Sequence, residues 1–277
     1  MLDKAGYRVY NKPIKILWED GRMSEKIKVI SFNLRIQAKC DGVNYFDNRL
    51  PRIVEFMNNE KPDIVGFQEV NAAMKDLLNA NLGDYILIGC GREKDYNGES
   101  ALIGYRKDRF ELLSFENFWL SGTPTIPGSR YGFDQSCCPR ITSAALLKLR
   151  TAATPFWFVN THLDHEGKLA RVFGAMQILQ FVSAKAEPCV ITGDFNAYPD
   201  SPEIKLLVEN KYYPITEATA KIDNTFHAFS EKLYGKIDYV FTTLKCDPDE
   251  SVCYEDKPVD GVYLSDHRPV AAFVEVE

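Results

Sequence analysis

The chain has 277 residues, 45% hydrophobic and 26% charged, with a net charge of −6. These values are ordinary for a globular chain, and the negative balance argues against sequence-blind gripping of long duplex nucleic acid, which needs many Lys/Arg–phosphate contacts. No stretch approaches the roughly 18–20 apolar residues of a membrane span.

A first strand is expected over 28–33, starting near Lys26, and a helix over 48–59, where Leu50, Ile53, Val54 and Met57 recur at helical spacing. Pro62-Asp63 opens a strand that ends at Glu69, and a short helix follows over 72–80. Strands are read at 85–88, 101–105 and 110–120. The segment 121–139 is too long for a simple connection and reads as a substrate loop. Strands at 141–149 and 156–162 precede a helix over 167–183, whose Leu169, Val172, Phe173, Met176, Ile178 and Leu179 fall mostly on one side. A strand then ends at Asp194, a helix starts at Ser201-Pro202, and the last strands cover 237–242 and 269–275. Helices and strands alternate without strict βαβ order. The pattern predicts an α/β sandwich of two mixed sheets with helices outside and the site at one end of the sheets.

No Pro/Gly/Ser linker, low-complexity tract or repeat divides the chain. A single catalytic domain is expected over 26–277, with 1–25 as an N-terminal extension and Met23 as an alternative start. The N-terminus lacks an apolar core and carries Asp3, Glu19 and Asp20, so it does not read as a secretory signal. Seven cysteines without a CxxC predict reduced thiols in a cytoplasmic monomer rather than a disulfide frame or a zinc site.

Five apolar runs end in polar residues of catalytic type: 29–33 at Asn33, 64–69 at Gln68-Glu69, 156–162 at Asn160 and His162, 190–196 at Asp194 and Asn196, and 262–267 at Asp266-His267. A buried strand is a poor place for Asp, Glu or His unless it hands them to a cleft. Carboxylates, amides and imidazoles together suit a hard divalent cation and a phosphoryl group. Asp194 and Asn196 flank Phe195 and at extended spacing face the same way; a solvated turn is the alternative. Asp266 and His267 need a bend to enter one site. An imidazole facing phosphate works best with a carboxylate behind it, and Glu99 and Asp238 are placed to supply one. Asp238 lies inside the apolar run 237–241, where an unpaired charge is costly; a solvent-facing edge position is the alternative. Glu69 is the metal-ligand candidate of the first half, and an ordinary helix N-terminal carboxylate is its alternative. Arg140 suits phosphate through its planar donors, although a surface ion pair fits it equally well.

Taken in chain order, SFNLR (31–35), FQEV (67–70), GESALIGYR (98–106), NTHLDH (160–165), TGDFNAYP (192–199), KIDYVF (236–241) and LSDHRPV (264–270) resemble the endonuclease/exonuclease/phosphatase superfamily, the deoxyribonuclease I-like enzymes. The resemblance implies a four-layer α/β sandwich and metal-dependent phosphate-ester cleavage. Asn33 and Glu69 would then hold Mg²⁺ (or Mn²⁺) and its phosphate, with Asp266 nearby. Asp194 would activate the attacking water and Asn196 position it. His162 and His267 would contact the scissile phosphate, backed by Glu99 and Asp238 respectively. Residues 118–142 look like bacterial proteins near the nocturnin and carbon-catabolite-repressor deadenylase branch, in which a Pro-Arg before a strand binds phosphate; this would be Arg140. No leucine-rich repeat accompanies the catalytic blocks. The expected activity is Mg²⁺-dependent hydrolysis of a phosphodiester in a single-stranded nucleic-acid end or a nucleotide, as by a 3′–5′ exonuclease on RNA. A phosphomonoesterase on a small metabolite is the alternative, and a non-catalytic binding protein on the same fold is the other class. Phe118, Trp119, Tyr131 and Phe133 are candidates to stack on bases, or to pack.

Overall fold

The computed structural model describes residues 17–19 and 22–277, with side chains from Ser24 onward. Most of the extension expected over 1–25 lies outside the described residues. The elements in chain order are β1 (Leu17–Glu19), β2 (Arg22–Asn33), α1 (Phe46–Glu60), β3 (Ile64–Val70), α2 (Ala72–Asn81), β4 (Tyr85–Ile88), β5 (Ser100–Arg106), β6 (Phe110–Trp119), β7 (Ile141–Leu149), β8 (Phe156–His162), α3 (Lys168–Ser183), β9 (Cys189–Asp194), α4 (Pro202–Val208), β10 (Thr216–Glu217), β11 (Asp238–Thr242), β12 (Val252–Cys253) and β13 (Val270–Val276). The first core strand thus begins at Arg22, four residues before the expected start, because β1 pairs antiparallel with its first three residues.

Two mixed sheets form the centre. One has the order β12-β13-β2-β3-β5-β4, with β1 pairing to β2; the other has the order β10-β11-β9-β8-β7-β6. Each contains one parallel pair, β2 with β3 and β8 with β9. The strands are near-continuous apolar runs because both faces of each sheet are covered. Alternate residues divide between the two faces. Ile27, Val29, Ile64, Phe156, Phe158, Val190 and Val240 fill the space between the sheets. Ile30, Phe32, Val65 and Phe67 meet Ile53, Phe56 and Met57 of α1, and Trp157, Val159, Ile191 and Phe241 meet Ile178 and Val182 of α3. Three apolar layers separate four layers of structure, as the sequence predicts.

The α3 face differs from the expectation. Leu169, Phe173 and Met176 are exposed, and the buried stripe runs through Ala170, Gly174, Ala175, Ile178 and Val182. At Gly174 the helix sits too close to its neighbours for a large side chain. A Cβ on Gly174 would lie 3.2 Å from both Leu120 and Leu163.

Along the space between the sheets the inward residues change character. The apolar layer gives way to Ser31, Gly66, Gln68, Asn160 and Thr192, and then to Asn33, His162, Asp194 and Asp238 at the strand ends. Asn160 joins the sheets. Its Nδ2 donates to the carbonyls of Phe67 (2.8 Å) and Leu102 (2.9 Å), and its Oδ1 accepts from Gln68 (2.7 Å) and Thr192 (3.1 Å). Gly66 makes room for it. A Cβ there would lie 2.2 Å from Thr192 Oγ1 and 2.5 Å from Asn160 Oδ1. Gly66→Ala should therefore destabilise the protein by about 1–3 kcal/mol, the usual cost of overpacking. Urea unfolding measures this, and an unchanged midpoint would show that the sheets yield freely at this point.

Candidate active site

Strand register assembles the site. His162 of β8 pairs with Asp194 of β9, which pairs in turn with Asp238 of β11. Asn33 of β2 pairs with Gln68 of β3, in the other sheet. The strand ends of the two sheets face each other, and Asn33 Nδ2 spans the gap, donating to Asp194 Oδ2 (2.9 Å) and Glu69 Oε1 (3.1 Å).

Glu69 reaches this position through a register shift between Phe67 and Val70, and its φ is +63°. Asn196 and Arg35 are also left-handed, at +48° and +54°. Non-glycine residues avoid this region, so three occurrences around one cluster mark backbone held for a purpose other than stability. Glu69 Oε2 accepts from the Ile36 N–H (2.8 Å). Arg35 grips Asp41 through two hydrogen bonds of 3.1 Å and lies 3.9 Å from Asp266.

The two imidazoles have opposite electrostatics. His267 Nδ1 is 2.9 Å from Asp238 Oδ2, as the sequence predicts. Burial alone would lower its pKa, but Asp238, Asp266 and Asp194 raise it well above the ordinary histidine value. His267 is therefore an imidazolium, with Nε2 directed 3.7 Å from Asp194. His162 is pushed well below the ordinary value by burial and by the positive charges of Arg140 and Arg92. It is neutral, and Asn196 Nδ2 donates to its Nε2 (3.0 Å), leaving Nδ1 to carry the proton. The expected Glu99–His162 pair is not formed. Glu99 instead accepts two bonds from Arg92, at 2.7 and 2.8 Å, because a guanidinium seven residues away in the same loop satisfies both carboxylate oxygens at once. Glu99 does line the same small cavity as His162.

Asp194 is buried and also accepts from the Asn196 N–H (2.8 Å). Burial raises its pKa, while the charged His267 opposes the rise. Phe195 between these two residues is fully buried in the outer layer, so the strand end points the polar pair inward. Asp266 is likewise raised by burial. Arg140 is 4% exposed, so it is no surface ion pair. Its Nε contacts Asp164 (3.3 Å), its Nη2 contacts His165 Nδ1 (2.8 Å), and its Nη1 has no hydrogen-bond partner. Burial would raise the Asp164 pKa, but Ser136, the Gly167 N–H and Arg140 bring it down to about 2, so it stays a charged anchor. The 121–139 loop is thereby tied to the site: Ser136 Oγ donates to Asp164 (2.5 Å). Arg171 supports the same turn by donating to the Asp164 carbonyl (3.0 Å).

Two further residues shape the site and are missed by sequence reasoning. Arg49 of α1 is fully buried, has no carboxylate partner among the described residues, and donates to the carbonyls of Leu34, Arg35, Asn44 and Leu264. It ties the segment after Asn33 to the segment before Asp266. Arg92 stands beside the His162 cavity. Its only sequence clue is the Gly91–Gly98 bracket, where the Arg92 N–H donates to the Glu99 carbonyl (2.9 Å) across a tight turn.

The donor set fits a hard cation. Four carboxylates, Glu69, Asp194, Asp238 and Asp266, gather at the strand ends with Arg35 and His267 among them. Ligand atoms of Glu69, His162 and Asp194 lie within 4.8 Å of one another, as do those of Asp194, Asp238 and His267. Oxygen donors dominate and no thiol belongs to either group, which suits Mg²⁺ or Mn²⁺ better than a soft ion.

This fold and this site define a metal-dependent phosphate-ester hydrolase. Residues 30–267 match the model of the Endonuclease/Exonuclease/phosphatase family, and the chain belongs to that family. An endonuclease/exonuclease/phosphatase from Bacteroides vulgatus is 32% identical and superposes with a TM-score of 0.80, covering 91% of this chain and 99% of that one. The mannosyl-6-phosphatase of Bacteroides thetaiotaomicron is 28% identical with a TM-score of 0.80, over 91% and 100% of the two chains. The human nocturnin catalytic domain shares the fold at 18% identity and a TM-score of 0.68, over 91% and 95%. No helix among the described residues is long and apolar enough to cross a membrane.

Proposed function

We propose that the protein hydrolyses a terminal phosphate monoester on a small polar metabolite. The observation that carries this reading is the buried Arg140, pinned on two sides with Nη1 uncommitted, in the wall of the His162 cavity. A fixed guanidinium beside a neutral imidazole suits a compact anion. The likeness to a mannosyl-6-phosphatase supports it. The expected base-stacking platform is reduced by half. Phe118 stacks on Phe181, and Trp119 is buried with its indole N–H on the Arg92 carbonyl, so both are packing residues. Tyr131 and Phe133 remain, stacked at 5.1 Å with Phe133 53% exposed. That exposed ring favours the second reading, a phosphodiester at a single-stranded nucleic-acid end or in a nucleotide.

In the proposed reaction water attacks phosphorus in line with the ester oxygen. Asp194 accepts the proton of the water as the new O–P bond forms, and burial makes this carboxylate a stronger base than usual. His267, Arg140 and His162 Nδ1–H donate to phosphoryl oxygens whose charge grows in the transition state. The P–O ester bond breaks with its electron pair passing to the ester oxygen, and this alkoxide takes up a proton from solvent and leaves as the alcohol. Glu69, Asp266 and Asn33 would hold Mg²⁺, which supplies charge neutralisation to the phosphoryl group. Asp238 keeps His267 charged and oriented.

Arg140→Lys keeps the charge but loses the planar fork. It should lower kcat/KM about 10–100-fold, less than the roughly 10²–10³-fold loss of a transition-state donor. Wild-type kinetics would place Arg140 outside the reaction. The substrate class is tested by comparing phosphate release from sugar 6-phosphates and 4-nitrophenyl phosphate with cleavage of bis(4-nitrophenyl) phosphate and single-stranded RNA. Monoester turnover dominating supports the reading, and RNA or diester turnover dominating replaces it with the second.

A further inference from the structure

The cavity beside His162 has a second guanidinium that the reaction above does not use. Arg92 is 9% exposed, and its Nη1 and Nη2 are committed to Glu99. Its Nε is buried without a hydrogen bond and forms a long ion pair with the Glu93 carboxylate at 3.8 Å. Arg140 Nη1 is orphaned in the same way. Two buried cationic N–H groups without acceptors are costly unless a ligand completes them. Both residues line one cavity with Glu99 and His162. Its volume is about 10 Å³, the size of one water or one phosphoryl oxygen.

We infer that Arg92 is a specificity-determining residue that, with Arg140, receives the third terminal oxygen of a dianionic phosphoryl group. The inference rests on the monoesterase reading. A monoester presents three terminal oxygens and, with a second pKa near 6, about two negative charges at neutral pH. A diester has only two such oxygens and one charge, and in place of the third it has an oxygen carrying carbon. The pair of arginines thus favours the monoester by charge. Glu99 fixes the Arg92 plane beside the cavity through its two hydrogen bonds.

The test is the ratio of kcat/KM for 4-nitrophenyl phosphate to that for bis(4-nitrophenyl) phosphate, both with Mg²⁺. Arg92→Lys should lose about 10–100-fold on the monoester and less than about threefold on the diester, collapsing the ratio. Equal losses on both substrates, or none on either, would reduce Arg92 to a support for the loop and overturn the inference while leaving the monoesterase reading intact. Glu99→Gln provides a second arm that keeps the side-chain shape but removes the charge and one of the two acceptors of Arg92. Removing its counter-charge should tighten competitive inhibition by inorganic phosphate about 3–10-fold, and an unchanged inhibition constant overturns the inference. A wild-type protein that turns over diesters but no monoester overturns the reading and the inference together.

Discussion

Asp194→Asn is expected to lower kcat by about 10²–10⁴-fold with little change in KM, the loss usual for a positioned general base. The reason is positional. Asp194 lies where β8, β9 and β11 bring His162, Asp194 and Asp238 into one row, and it reaches across to Asn33 of the other sheet. An amide in its place can accept from only one of the two donors that Asp194 serves, Asn33 Nδ2 on Oδ2 and the Asn196 N–H on Oδ1, and it cannot take the proton from water. The phosphoryl contact proposed for Arg140 does not depend on Asp194, so substrate should still bind. Steady-state kinetics against the preferred monoester separates the two constants. A variant with near-normal kcat would move the water-activating role away from β9.

His267→Gln should cost about 10²–10³-fold in kcat/KM, the price of one charged donor aimed at a developing oxyanion. The imidazolium is an outcome of its surroundings: burial opposes the charge, and Asp238, Asp266 and Asp194 overcome that opposition. Asp238→Asn tests the same arrangement through pH. Removing the carboxylate at 2.9 Å lowers the His267 pKa, so the charged form is lost at a lower pH. The alkaline limb of the activity profile should therefore move toward neutrality while the acid limb stays in place. An unmoved alkaline limb would show that the charge on His267 does not govern turnover.

Much of this site was legible because a strand has a period of two and a register. Once Ile27 and Val29, Phe156 and Phe158, and Val190 are read as inward residues, the same parity carries Asn33, His162 and Asp194 to the inward face. Asp238 inside an apolar run announces a partner, and that partner is His267. Glu99 illustrates the limit. Its position before β5 was legible, but its choice between His162 and Arg92 depends on a tight turn bracketed by glycines, which no periodicity encodes. Arg49 was invisible for a related reason: it looks like a solvated helix residue, and only the convergence of four carbonyls makes burial tolerable. On α3 the bulky residues suggested the core face, whereas the close approach of Leu120 and Leu163 hands that face to Gly174 and the alanines. Sequence amphipathicity counts apolar side chains and has no measure of the distance between backbones.

The most direct test of a metal-dependent phosphoesterase at this site is phosphate release from a sugar 6-phosphate by the wild-type protein and by Glu69→Gln, titrated with Mg²⁺ from zero in the presence of a chelator. Glu69 is the carboxylate that a left-handed residue and a register shift aim at Asn33, so its charge should set the metal requirement. The wild-type protein should be inactive in EDTA and recover on addition of Mg²⁺, and Glu69→Gln should need at least about tenfold more Mg²⁺ for half its maximal rate while melting at the same temperature. Full wild-type turnover in EDTA, or an unchanged Mg²⁺ requirement in Glu69→Gln, would contradict the assignment.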